Sequence, residues 1–315
     1  AQREYAIKVS RNDVATEETR RRFEREITAM GGMVHPNLVY ASDAGVDESG
    51  KLYLVMEYIR GKDLQRQIDN NGPLKIPEAM EILSKICLGV AHAHKQGVVH
   101  RDIKPSNVML SDQLEVKVLD LGLASLQSDA STRMTRSEGL VGTLPFIAPE
   151  LWGDATQASP ASDVYAIGCT AYCMCIGSPP FSGDAHRSLA QLMSAHRQSP
   201  PPPLHELRPD IPVELSGLIL RSLHKDPTRR YQNATDFATS LAPFTKSLTN
   251  DESIFASKAK ASPVRGTTTR INVDSRGGLG MFAIASVLLV VAGLSLGRAC
   301  RGDSGTLAGG WGCGA

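Results

Sequence analysis

The sequence predicts an α+β protein of two unequal parts, a small strand-rich one followed by a larger helical one, and three patterns carry that expectation. Two runs with β-branched and aromatic content, 5–9 and 52–58, flank an amphipathic helix near the N-terminus. From Pro77 onward, helical periodicity dominates. Between Arg276 and Arg298 no residue is charged, which predicts one C-terminal transmembrane helix.

The first run, 5–9, reads as a short strand that carries Lys8. Residues 16–30 alternate acids and arginines at helical spacing, and Phe23, Ile27 and Met30 form one apolar stripe. His35-Pro36-Asn37 stops that helix. The run 52–58, LYLVMEY, predicts a buried strand, after which Gly61-Lys62-Asp63-Leu64 starts a helix. Residues 77–96 predict a long helix with an apolar set at Ile82, Ile86, Leu88 and Val90, and 116–119 a short strand. Helices are expected at 161–176, 188–194, 212–223 and 234–241, with Pro200 to Pro203 as a stiff loop.

A chain of 315 residues can bury a sizeable core. Its net charge of +1 gives no reason to expect the concentrated basic surface that nucleic-acid binding needs, so no nucleic-acid partner is expected. Four of its cysteines, Cys87, Cys169, Cys173 and Cys175, fall inside apolar helical runs, and Cys300 and Cys313 lie in the tail. That placement predicts buried thiols in a reducing compartment rather than a disulfide framework or a metal site.

Residues 281–296, MFAIASVLLVVAGLSL, are long enough at about 1.5 Å per residue to match most of a hydrocarbon core of roughly 30 Å. Lys258, Lys260, Arg265, Arg270 and Arg276 precede the stretch, against Arg298 and Arg301 after it. The positive-inside bias therefore places the large domain in the cytoplasm, on a single-pass anchor in the cell inner membrane. Ser, Thr, Lys and Gly in 245–278 predict a flexible juxtamembrane linker. The span is 279–297, and 298–315 form a short extracytoplasmic tail.

One segment is far more specific than the rest: His100-Arg101-Asp102-Ile103-Lys104-Pro105-Ser106-Asn107, followed by Asp120-Leu121-Gly122. It brings two carboxylates, one ammonium and one amide into reach of a nucleoside triphosphate, its metal ions and a hydroxyl acceptor. In residue order this segment resembles the catalytic loop and metal motif of the eukaryotic-type (Hanks-type) serine/threonine protein kinases, in their bacterial receptor-like branch. The resemblance runs from about Tyr5 to Leu241. It implies the bilobal kinase fold, with residues 1–58 as a partial small lobe and 59–244 as the helical large lobe.

The resemblance also implies roles. Lys8 matches the third-strand lysine that touches the α- and β-phosphates of ATP, and Glu26 its ion-pair partner; Glu24, two residues earlier, points to another face. Asp102 matches the group that accepts or orients the acceptor's proton, and Lys104 the one that neutralises the γ-phosphate. A Lys there followed by Pro resembles the Ser/Thr-specific branch. Asn107 and Asp120 match the ligands of Mg²⁺ or Mn²⁺, with Leu121 where the family carries Phe. Met56, Glu57, Tyr58 and Ile59 match the gatekeeper and hinge that meet adenine, while Ala6 and Met109 sandwich its ring. The activation segment is 123–143, closing at Ala148-Pro149-Glu150, and a phosphate on it could pair with Arg101. Glu150 is expected to pair with Arg230, and Asp163 to hold the catalytic loop's backbone.

In one respect the sequence departs from the family. It opens at Ala1, just before the third strand, so the glycine-rich loop and first two strands are not in it. Taken alone it is expected to bind ATP weakly. The expected function is membrane-tethered phosphoryl transfer from ATP to protein Ser or Thr, with a homodimer possible for autophosphorylation. The alternative is a pseudokinase-like scaffold or inactive fragment.

Overall fold

The computed structural model of the chain describes residues 4–10, 17–30, 32–113, 115–121, 143–183 and 188–245. The small lobe is a three-stranded antiparallel sheet in the order β1-β3-β2, formed by β1 (Tyr5–Val9), β2 (Ala41–Val46) and β3 (Leu52–Glu57). Central β3 alternates cleanly, turning Leu52, Leu54 and Met56 into the core. Helix α1 (Glu17–Met30) buries Phe23 and half-buries Ile27, whereas Glu24 stays exposed. The side chains of Glu26 and Met30 lie outside the described residues. Strand β2, ASDAGV, has no counterpart among the predicted elements, and a bulge between Ala41 and Asp43 breaks its register.

A second small sheet links the lobes: β4 (Gly61–Asp63), β5 (Val108–Ser111) and β6 (Val116–Val118) pair antiparallel. A Cβ on Gly61 would collide with the Leu110 carbonyl oxygen, so the β4–β5 approach needs glycine. Asp63 then caps α2 (Leu64–Asn71), its carboxylate accepting the Arg66 amide at 2.8 Å.

The large lobe is built on α3 (Ile76–Lys95) and α4 (Pro160–Ile176), which pack on one another. The remaining helices are α5 (Leu189–Gln198), the single turn α6 (Leu204–Leu207), α7 (Val213–Ser222) and α8 (Ala234–Thr245), the last packed along α3. Helix α4 is buried from Ala161 to Cys175, an environment that explains its apolar character on every face. Gly177, at φ 94°, ends it by donating its amide to the Cys173 carbonyl at 2.8 Å. On α3, Ile82, Ile86 and Val90 are buried, but Leu88 is 45% exposed, correcting its place in the predicted stripe. Residues two apart on a helix do not share a face.

Cys87, Cys169, Cys173 and Cys175 are free and buried, and burial pushes their thiols up, Cys175 to about 12. Among the described residues no helix is long and apolar enough to cross a membrane. The predicted span 279–297 and the tail 298–315 lie outside the described residues, as does the linker from residue 246 onward. Helix α8 itself runs through Thr245, one residue into the predicted linker.

Two charged side chains hold the base of the large lobe together. Arg230, 1% exposed, makes a two-pronged pair with Glu150, both contacts 2.8 Å. Its other donors reach the carbonyls of His224 (2.7 Å), Ala161 (3.0 Å) and Lys225 (3.1 Å). The Lys225 ammonium lies 4.5 Å from the Phe181 ring centre and donates to the Ala195 carbonyl at 3.2 Å, near the end of α5. Burial, with the Arg230 charge nearby, pulls it from 10.5 to about 8 despite the opposing effect of Cys169.

A folded-state pKa below the unfolded one means that the unfolded chain holds more protons between pH 8 and 10.5. Lys225 therefore penalises the fold in full below pH 8 and progressively less above it. Relative to Lys225→Met, the wild-type protein should gain stability as pH rises from 7 to 10; urea titrations at both values measure the gap, and a constant gap contradicts the assignment.

Candidate active site

The loop 100–107 crosses the large lobe between α3 and β5 and is fixed from beneath. Asp163 of α4, 1% exposed, accepts the His100 amide at 2.7 Å on Oδ2 and the Arg101 amide at 2.9 Å on Oδ1. These bonds hold Arg101 at φ 68°, a left-handed conformation that a long side chain adopts rarely. The buried His100 ring reaches the Leu119 carbonyl with Nε2 (2.8 Å), and its Nδ1 accepts the Asp102 amide (3.3 Å). Leu119 donates its own amide to the Asn107 carbonyl at 2.8 Å, tying the loop to the strand that delivers Asp120.

Asp102, Lys104 and Asn107 converge on one point. The Lys104 ammonium is 2.9 Å from each Asp102 oxygen and also donates to the Thr143 hydroxyl. Asn107 donates its amide nitrogen to Asp102 twice, to the backbone carbonyl at 2.8 Å and to Oδ2 at 2.9 Å. The Asp102 carboxylate thus sits in one orientation, with a cation beside it.

The second pair joins the lobes. Lys8 of β1 lies 2.6 Å from Oδ2 of Asp120, which follows β6 and is itself at φ 60°. Leu121 beneath it is 1% exposed and forms an apolar plug. Asp120 is thus the described partner of Lys8, and the Glu26 side chain expected to pair with Lys8 lies outside the described residues.

Across the sheet, Ala6 is in register with Met56. Met56 is buried, whereas Ala6, Ile59 and Met109 are half-buried, Met109 on β5 opposite Asp63 and Lys117. The Glu57 side chain meets Lys117 (2.9 Å) and the Tyr40 amide (2.9 Å).

The residues present fit a hard divalent cation. Asn107 spends its amide nitrogen on Asp102, so the donor it would offer a metal is its oxygen, and Asp120 would add a carboxylate. Oxygen donors of this kind suit Mg²⁺ or Mn²⁺.

One functional side chain escaped the sequence reading. His94, near the end of α3, places Nε2 2.8 Å from Asp163 Oδ2 and so supports the carboxylate that holds the loop. A histidine in the last turn of a helix gives no sign of a partner 69 positions away. Of the predicted activation segment 123–143, residues 123–142 lie outside the described residues.

Comparison with known proteins shows the family. The protein kinase domain family matches residues 1–240. The serine/threonine-protein kinase PknB of Mycobacterium leprae (strain TN) is 37% identical over 244 residues, covering 76% of this chain and 38% of the relative. The serine/threonine-protein kinase PrkC of Bacillus subtilis (strain 168) is 37% identical over 235 residues, covering 74% and 35%. The chain therefore spans little more than a third of the length of these curated relatives.

Among solved structures, a point mutant of the Mycobacterium tuberculosis PknI kinase domain aligns with a TM-score of 0.58 at 29% identity, over 76% of this chain and 84% of that one. Rad53 1-466 in complex with AMP-PNP aligns at 0.59 and 25% identity, over 76% and 58%. With the order of its motifs, the bilobal architecture and the match over residues 1–240, the chain belongs to the protein kinase domain family.

Proposed function

We propose that the protein is a serine/threonine kinase that transfers the γ-phosphoryl group of ATP to a protein Ser or Thr hydroxyl, using Mg²⁺ or Mn²⁺. The observation that carries the reading is the fixed Asp102 carboxylate, with Lys104 at 2.9 Å from both its oxygens and Asn107 on its flank. In the reaction a bond forms between the acceptor oxygen and the γ-phosphorus while the bond to the β–γ bridging oxygen breaks; ADP leaves. Asp102 receives the acceptor's proton, and Lys104 stands where it balances charge on the transferring group. Lys8 orients the α- and β-phosphates, and Ala6, Met56, Glu57, Ile59 and Met109 form the adenine pocket. When bound at Asn107 and Asp120, the metal ions neutralise the phosphate oxygens. The serine/threonine preference is supported by Lys104-Pro105 and by the names of the PknB and PrkC relatives.

The finer organisation belongs to the same proposal. Residues 1–58 and 59–244 form the two lobes on the cytoplasmic side, 245–278 the linker, 279–297 a single span of the cell inner membrane and 298–315 the outer tail. The uncharged stretch and its arginine flanks support the span. A homodimer on the membrane would present one copy's activation segment to the other's Asp102.

A radiolabelled transfer assay on the full-length protein, with phosphoamino-acid analysis of the product, tests the reaction. Lys8→Met should lower turnover at least about 100-fold by misaligning the phosphates. A normal rate in that variant would remove Lys8 from the site. Recovery of the protein in the soluble fraction without detergent would remove the anchor.

A further inference from the structure

On the large lobe a groove of about 430 Å³ lies between the start of α3, the turn before α7 and the last turn of α8. Ile76, Pro77, Pro212, Pro243 and Phe244 are its apolar lining, and Lys75, Arg208 and Asp210, the last two paired with each other, line it as well. Its size falls within the range of sites that accept a small ligand or a few side chains, about 300–1,000 Å³.

The walls are preformed. Arg208 donates to the Leu74 carbonyl at 2.7 Å and the Cys175 carbonyl at 2.9 Å, and grips Asp210 at 2.9 and 3.0 Å. Leu207 and Val213, next in sequence to the lining residues Arg208 and Pro212, are 53% and 62% exposed.

Two observations identify the occupant. Helix α8 ends at Thr245, directly after the wall residues Pro243 and Phe244, so the last described residue stands at the groove itself. The residues that follow, 246–263, contain one adjacent pair of large apolar side chains, Ile254-Phe255, and an acidic pair just before it, Asp251-Glu252. Lys75, with the positive end of the 20-residue α3 behind it, complements those acids.

We propose that residues 251–255 fold back onto the kinase domain, seating Ile254 and Phe255 in this groove with Asp251 and Glu252 against Lys75. The nine residues that follow Thr245, up to Ile254, can span up to roughly 30 Å, more than a return to the adjacent groove requires. A tether this short gives an effective concentration on the order of millimolar, so a weak intrinsic contact suffices. The segment then clips the chain to the large lobe before the remaining linker begins. This inference does not rest on the phosphoryl-transfer reading.

The test is a photocross-link in the full-length protein carrying Phe255→p-benzoylphenylalanine. The expected product is an intrachain link to the peptides containing Ile76, Pro212 or Phe244, with its yield cut at least fivefold by Lys75→Glu. A link chiefly to a second copy, to lipid or to no partner overturns the proposal, as does a yield indifferent to Lys75→Glu. Hydrogen exchange gives a second reading that leaves the groove untouched. Ile254→Ser with Phe255→Ser should speed exchange at 243–245 and 76–78 several-fold and leave 160–176 unchanged; unaltered exchange at the groove counts against the clip.

Discussion

Asp102→Asn is expected to slow phosphoryl transfer by about 10²–10⁴-fold, or about 3–5 kcal/mol of transition-state stabilisation, while nucleotide affinity stays within about twofold of wild type. An amide of the same shape can still meet Asn107, but it neither takes the acceptor's proton nor balances Lys104, whose ammonium lies 2.9 Å from both carboxylate oxygens. The loop itself should survive, because its backbone is held by Asp163 and not by Asp102. Steady-state turnover alongside calorimetric titration with a nucleotide analogue separates the two effects. Unchanged turnover would remove Asp102 from the chemistry.

The largest loss of stability is expected from Arg230→Met, about 3–5 kcal/mol. The substitution strands the Glu150 carboxylate and removes the donor from the carbonyls of Ala161, His224 and Lys225, all at the base of the large lobe. Arg230→Lys should recover little, since a single ammonium cannot reproduce a planar fork that also serves three carbonyls. Adding Glu150→Gln to Arg230→Met should restore part of the loss by removing the uncompensated charge. Urea denaturation of the three variants gives the comparison. A loss under about 1 kcal/mol in Arg230→Met would mean that the pair is not a structural anchor.

Different parts of the fold were legible in the sequence for different reasons. Strand β3 announced itself because its alternate residues face a core and must be apolar. Strand β2 did not, because ASDAGV is polar and small and becomes a strand only through its pairing with β3. Leu88 looked like a core residue from its helix's composition, yet it lies two positions from Ile86 and so on another face. At the site, the residue order of 100–107 was specific enough to single out Asp102, Lys104 and Asn107. Their convergence is local to that loop, whereas the pairing of Lys8 with Asp120 depends on a contact across the lobes that spacing alone does not encode. His94 was missed on the same ground.

The bonds from Asp163 to His100 and Arg101 cross 63 and 62 positions of the chain, and that separation sets an order of events during synthesis. Residues 100–102 emerge well before the carboxylate that imposes their left-handed bend. At translation speeds of roughly 5–20 residues per second, the interval is about 3–13 s. Through that time the nascent chain has the residues of its catalytic centre but not their shape. Competence arrives with the docking of α4, so a ribosome paused before Asp163 should carry a chain unable to hold this turn.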